Sequence, residues 1–153
     1  MREILFKGKC IDCSKWIEGC YVRDMSRDNA RDLGKFAHKI QPLFQQAFAH
    51  PVDPDTICQS TEMKAYWDGP ECKTEKALVW EHDLLEIDYE GKKIIAEVKY
   101  ECGTFILASN EFADWYIPLF DIVDDCGWID AKVIGNKIDN PELINVKNEH
   151  ELE

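Results

Sequence analysis

The chain has 153 residues, enough for one domain or for two small lobes sharing one core. Hydrophobic residues at 45% with 11% aromatics exclude wholesale disorder. No apolar run approaches the about 18 residues that cross a membrane, and a net charge of −12 argues against contact with phosphate backbones. The opening Met1-Arg2-Glu3-Ile4 lacks the apolar core of a signal peptide. The odd count of seven cysteines, irregularly spaced, reads as free thiols in a reducing cytoplasm.

In chain order, residues 3–9 and 15–23 read as a hairpin, because Ile4, Leu5 and Phe6 open a strand and Trp16 to Val22 returns it. Asp12, Cys13 and Ser14 supply turn chemistry between them. From Leu33 to Phe48, apolar residues recur at helical spacing, yet Pro42 stands inside the pattern. There it would cost a helix about 3 kcal/mol. Either a kinked helix carries the stripe, or residues 36–41 form a strand and a short helix starts at Pro42. Proline's fit to a first helical turn favours the second. Residues 50–56, with Pro51 and Pro54, are stiff and extended. Residues 58–76 show little periodicity and contain Trp67-Asp68-Gly69-Pro70, a turn cluster, so 62–76 is expected to be a surface loop.

Residues 77–108 read as a β-meander. Leu85, Ile87 and Tyr89 alternate with acidic neighbours, and so do Ile94, Ala96, Val98 and Tyr100 with Ile95, Glu97 and Lys99. Glu90-Gly91-Lys92 and Glu101-Cys102-Gly103 are the two turns. Three strands leave two open edges, so the sheet must curl or recruit partners. A small SH3-like antiparallel barrel is the economical closure, and an open sheet backed by the N-terminal half is the alternative. Phe112, Trp115, Tyr116 and Phe120 are expected to cover one end of it. Asp124-Asp125-Cys126-Gly127 turns, residues 129–134 supply a last strand, and Asn140-Pro141 caps a short helix. The acidic tail from 146 to 153 is expected to fray. The expected class is therefore mainly β (α+β). A hairpin lobe with an irregular or helical insert occupies 1–61, and a barrel lobe with a short helix occupies 77–145.

Four phrases spread along the chain resemble the YopX family of phage and prophage proteins. Phe6-Lys7-Gly8-Lys9 and Trp16-Ile17-Glu18-Gly19-Cys20-Tyr21 are similar to its opening Phe-Arg-Gly-Lys and Trp-Val-Glu-Gly-Tyr. Val52-Asp53-Pro54-Asp55-Thr56-Ile57-Cys58-Gln59-Ser60-Thr61 is similar to its Val-x-Pro-x-Thr-Val-x-Gln-x-Thr-Gly. Glu81-His82-Asp83-Leu84-Leu85 is similar to Glu-Gly-Asp-Ile-Val. Val133-Ile134-Gly135-Asn136 with Asn140-Pro141-Glu142-Leu143 is similar to its closing phrase. Glu62 and His82 stand where the family phrases carry glycine. Histidine would strain a bend at residue 82 that needs positive φ. The resemblance implies a phage-encoded cytoplasmic protein of two-lobed, mainly β structure that self-associates, and it supplies no catalytic residue.

Three groups of residues invite a chemical reading. Cys10-x-x-Cys13 has zinc-knuckle spacing, but a structural site needs four ligands and Cys20, Cys72, His38 or His50 would have to complete it. A turn with incidental thiols is the simpler reading. Glu81, His82 and Asp83 form an acid–His–acid cluster for proton transfer. A structural role is favoured, with Asp83 bonding backbone N–H groups. Thr56, Gln59 and Thr61 read as bonding the main chain where the lobes join. No catalytic, cofactor or metal residue is assigned. The expected function is that of a non-enzymatic accessory protein acting by protein–protein association, with itself or with a phage or host protein. The alternative is a nucleic-acid-associated module of phage replication or regulation. Against it, residues 81–125 hold 12 acidic side chains and 3 lysines.

Overall fold

A computed structural model describes residues 4–23, 37–43, 48–67, 76–125 and 127–144. Among these the fold is mainly β, with eleven strands, two 3-10 turns and a helical turn at 142–144. The chain divides into two compact units, Met1–Ser60 and Thr61–Glu153.

In the first unit, β1 (Phe6–Lys9) and β2 (Trp16–Arg23) form the expected antiparallel hairpin, with Lys9 opposite Trp16 and Phe6 opposite Gly19. β3 (His38–Pro42) pairs with β2, and β4 (His50–Pro51) pairs with β3. A strand therefore occupies the ambiguous stretch, running one residue beyond the expected end at 41, and Pro42 ends it rather than opening a helix. The short helix expected after Pro42 falls largely on residues 44–47, outside the described residues. Gly19 is obligatory in this ladder, since a Cβ there would sit 1.9 Å from the Gln41 carbonyl oxygen. Ile40, Val52, Cys10 and Cys58 are buried. The stretch read as extended contains a 3-10 turn, Pro54–Thr56, capped by the Asp53 carboxylate, which accepts from Asp55 N–H at 3.0 Å. β5 (Cys58–Trp67) begins in this unit, where Gln59 and Cys58 lie opposite Phe6 and Lys7.

The rest of β5 belongs to the second unit, which adds β6 (Lys76–Trp80), β7 (Asp83–Tyr89), β8 (Lys92–Glu101), β9 (Thr104–Ala108), β10 (Tyr116–Pro118) and β11 (Ile129–Asn136). Strand order runs β10-β9-β8-β7-β11-β5, and β6 also pairs with β5. β11 runs antiparallel to β7 and parallel to β5, so the sheet is mixed. The meander is as expected from alternation, with Glu86 opposite Ile95 and Val98 opposite Leu107. Leu85, Ile87, Ile94, Ala96, Val98 and Leu107 pack in one core with Ile129, Val133, Phe112 and Leu119.

Four expectations are corrected. The 62–76 segment is not a loop throughout, since β5 continues to Trp67 and β6 begins at Lys76. Thr61 and Ala65 are buried on either side of exposed Glu62 and Lys64, but small or polar inward residues conceal a period of two. The Asp68-Gly69-Pro70 part of the turn cluster lies outside the described residues. The sheet is not closed into a barrel, because no ladder joins β10 to β5 or β6 among the described residues. β10 has three residues and ends at Pro118, which has no N–H to donate. Of the four aromatics expected to cover the sheet, only Phe112 is buried, edge-on to Tyr89. Finally, Asn140 does not cap the helical turn with its side chain. Its Oδ1 accepts from Asn136 N–H at 3.2 Å, and its backbone carbonyl accepts from Leu143 N–H. The tail from 145 onward lies outside the described residues.

Candidate functional site: a groove on the outer face of the meander

Strand alternation sends the odd residues of β8 to the face opposite the core. On that face the register aligns Leu84, Glu97 and Ala108 across three strands, with Lys99 beside Ile106. Together they floor a groove of about 440 Å³, walled by Ile95, Trp115, Tyr116, Leu143 and Ile144. Leu84 and Ile106 are buried although they face away from the core. Trp115 and Tyr116 stand at the rim with 69% and 50% exposure, and Phe120, four residues further along the chain, is 66% exposed.

The buried polar group on this floor is the Glu97 carboxylate, only 8% exposed. One oxygen lies 3.1 Å from His82 Nδ1 and the other 3.7 Å from Lys137 Nζ. An ionised carboxylate only accepts, so Nδ1–H is the donor. Burial pushes the carboxyl pKa up. The His82 hydrogen bond and the charges of Lys137 and Lys99 outweigh it, and the group ends below its ordinary value. Both oxygens face cationic or N–H neighbours, which hold Glu97 as a fixed charge.

His82 reaches Glu97 because of its backbone. It lies at φ 71 in the left-handed region, in the turn between β6 and β7. Its N–H donates to the Val98 carbonyl at 2.7 Å, and its carbonyl accepts from Lys137 N–H at 2.9 Å. Asp83, buried, closes the same turn by accepting from Trp80 N–H at 2.9 Å. The acid–His–acid triplet is thus divided into an architectural Asp83 and a His82 that serves Glu97.

The other sequence candidates fall elsewhere. Thr56 Oγ1 accepts from Lys9 N–H and donates to the Asp53 carbonyl, and Thr61 Oγ1 donates to the Val79 carbonyl. Both hydroxyls therefore bond the main chain. Cys10 and Cys13 lie in the same tight turn between β1 and β2, whereas Cys20, on β2 opposite Gln41 of β3, is well along the hairpin. Residue 19 faces Phe6 across that hairpin, so about five residues at about 3.3 Å each separate Cys20 from the turn. His38 Nδ1 is engaged by the Tyr21 hydroxyl, and Cys72 lies outside the described residues. Among the described residues no group of three or more His, Cys, Asp or Glu side chains is arranged to hold a metal. No described helix is long and apolar enough to cross a membrane.

Glu97, Lys137 and Leu84 were not singled out from sequence. Alternation places Glu97 on the solvent side of β8. Its partners His82 and Lys137 come from segments distant in sequence, neither of which leaves a signal near residue 97. No family model, curated protein or solved structure matches the chain.

Proposed function

We propose that this chain is an accessory protein of the phage YopX type, non-enzymatic and cytoplasmic, acting by protein–protein association and first of all with a second copy of itself. The observation that carries the reading is the exposure of Trp115 and Tyr116 at the rim of a partly apolar groove, with Phe120 exposed four residues further along the chain. Large aromatics left in water beside apolar walls favour a protein partner. The SH3-like description of the second unit belongs to the same proposal and rests on its tightly turned meander.

Support for the family comes from what its phrases do here. Gly8 lies against Val52, where a Cβ would stand 3.0 Å away. Thr56 bonds the backbone of Lys9, and Asn140 Oδ1 occupies the space a Cβ on Gly135 would need. Glu62 and His82 have φ of 63 and 71, at the two positions where the family phrases carry glycine. These motif residues perform architecture, which favours a binding role over turnover.

Multi-angle light scattering across a concentration series tests the proposal. The wild type is expected to self-associate, and Trp115→Ala with Phe120→Ala to weaken association by about 10-fold or more. A wild type that stays strictly monomeric at the highest concentration sinks it. A salt-dependent mobility shift with DNA at low salt would transfer the function to nucleic-acid binding instead.

A further inference from the structure

The groove does not use the Cys10-x-x-Cys13 segment, which carries chemistry of its own. Residues 10–14 form one tight turn, in which Ser14 N–H donates to the Cys10 carbonyl at 3.0 Å and Cys10 N–H donates to the Lys15 carbonyl at 2.9 Å. Such an i to i+4 turn stacks side chains i and i+3 on one side, as in a helix. Ser14, at φ 57, ends the turn and turns the backbone back. Cys10 is buried at 7% exposure while Cys13 is exposed. An exposed outer thiol and a buried inner one three residues back on the same turn are the parts of a dithiol that exchanges with disulfides.

We propose that Cys10 and Cys13 form a redox-active dithiol site, with Cys13 attacking small disulfides from solvent and Cys10 resolving the product. In the first step the Cys13 thiolate attacks one sulfur of a low-molecular-weight disulfide. A mixed disulfide forms at Cys13 and one thiolate leaves. In the second step Cys10 gives up its proton to solvent and attacks the Cys13 sulfur. The second thiolate leaves and a Cys10–Cys13 disulfide closes. The protein loses two electrons and two protons, and the small disulfide is reduced to two thiols. Hydrogen bonding to Cys13 also holds its thiol below the ordinary range, the Lys15 backbone contributing most and Cys10 next. That depression raises the reactive fraction at neutral pH.

Iodoacetamide labelling of the full chain at pH 7, resolved by peptide mapping, is the first measurement. Cys13 is expected to react at least about threefold faster than the exposed Cys20 and Cys102. Oxidised glutathione is the probe for the second. The wild type is expected to lose two hydrogens, with the new bond mapped to Cys10–Cys13, whereas Cys10→Ser should retain a glutathione adduct on Cys13. Equal labelling of Cys13, Cys20 and Cys102 overturns the proposal. So does a wild type that keeps the adduct, or one that pairs Cys13 with a different cysteine. The wild-type mapping decides even if Cys10→Ser misfolds.

Discussion

Glu97 shows how a carboxylate is kept charged under a groove. Its folded-state pKa lies below the ordinary 4.5, so it contributes stability that is full above that value and is lost as pH falls through the depressed one. Glu97→Gln keeps the shape and removes the charge. We expect it to lower stability at pH 7 by about 1–3 kcal/mol, since His82 and Lys137 lose their acceptor. Its loss of stability from pH 5 downward should be shallower than that of the wild type. Urea titrations of both proteins at pH 7 and pH 3.5 measure this, and parallel declines would show that Glu97 is not linked to folding. Glu62 makes the opposite case. It is exposed at φ 63, a conformation that costs a side-chain-bearing residue about 1–2 kcal/mol. Glycine loses about 0.5–1 kcal/mol of that advantage to chain entropy. Glu62→Gly is therefore expected to raise the denaturation midpoint slightly, and a lower midpoint would count against strain at this bend.

At the scale of elements, the second unit is organised by the β7–β8–β9 meander, whose two turns each carry a glycine at positive φ, Gly91 and Gly103. Leu107 is fully buried opposite Val98. Leu107→Ala should cost about 2–5 kcal/mol through lost transfer energy and a residual cavity. Lys92→Ala, at the exposed start of β8, should stay within about 0.5 kcal/mol. Equal effects in thermal unfolding would mean that the meander is not the core. β4 and β10 are two and three residues long and each ends in proline. Short proline-bearing strands make poor templates for strand addition. This shifts the expected route of association from those two edges to the aromatic rim of the groove or to β6, five residues long and paired with β5 alone among the described residues.

For the molecule as a whole, the balance of 30 acidic to 18 basic side chains sets the conditions under which copies can meet. Two chains of net charge −12 repel, and salt screens that repulsion over about 8–10 Å at physiological strength. Self-association through an apolar aromatic contact should therefore strengthen as salt rises from low to physiological. A nucleic-acid contact would weaken over the same range. Light scattering at two salt concentrations reads the sign, and association that falls with added salt would point to charge pairing rather than to Trp115 and Phe120.

The hairpin, the meander and the strand at 129–134, which runs on to Asn136, were legible by themselves, because alternation and glycine turns are local properties that a stretch of chain carries with it. Asp83 as a backbone partner could be read for the same reason, since its acceptor role spans only three residues. β5 was not legible, because its inward side chains are Thr61 and Ala65 and its pattern has meaning only against β6 and β11. Nor could the burial of Glu97 or the exposure of Trp115, Tyr116 and Phe120 be read. Alternation says which side of a strand a residue takes, but whether that side meets water depends on what the rest of the chain lays over it. Residue order determined the strands and their turns. Packing between segments distant in sequence decided that the sheet stays open, that its outer face carries a groove, and which aromatics remain free to bind.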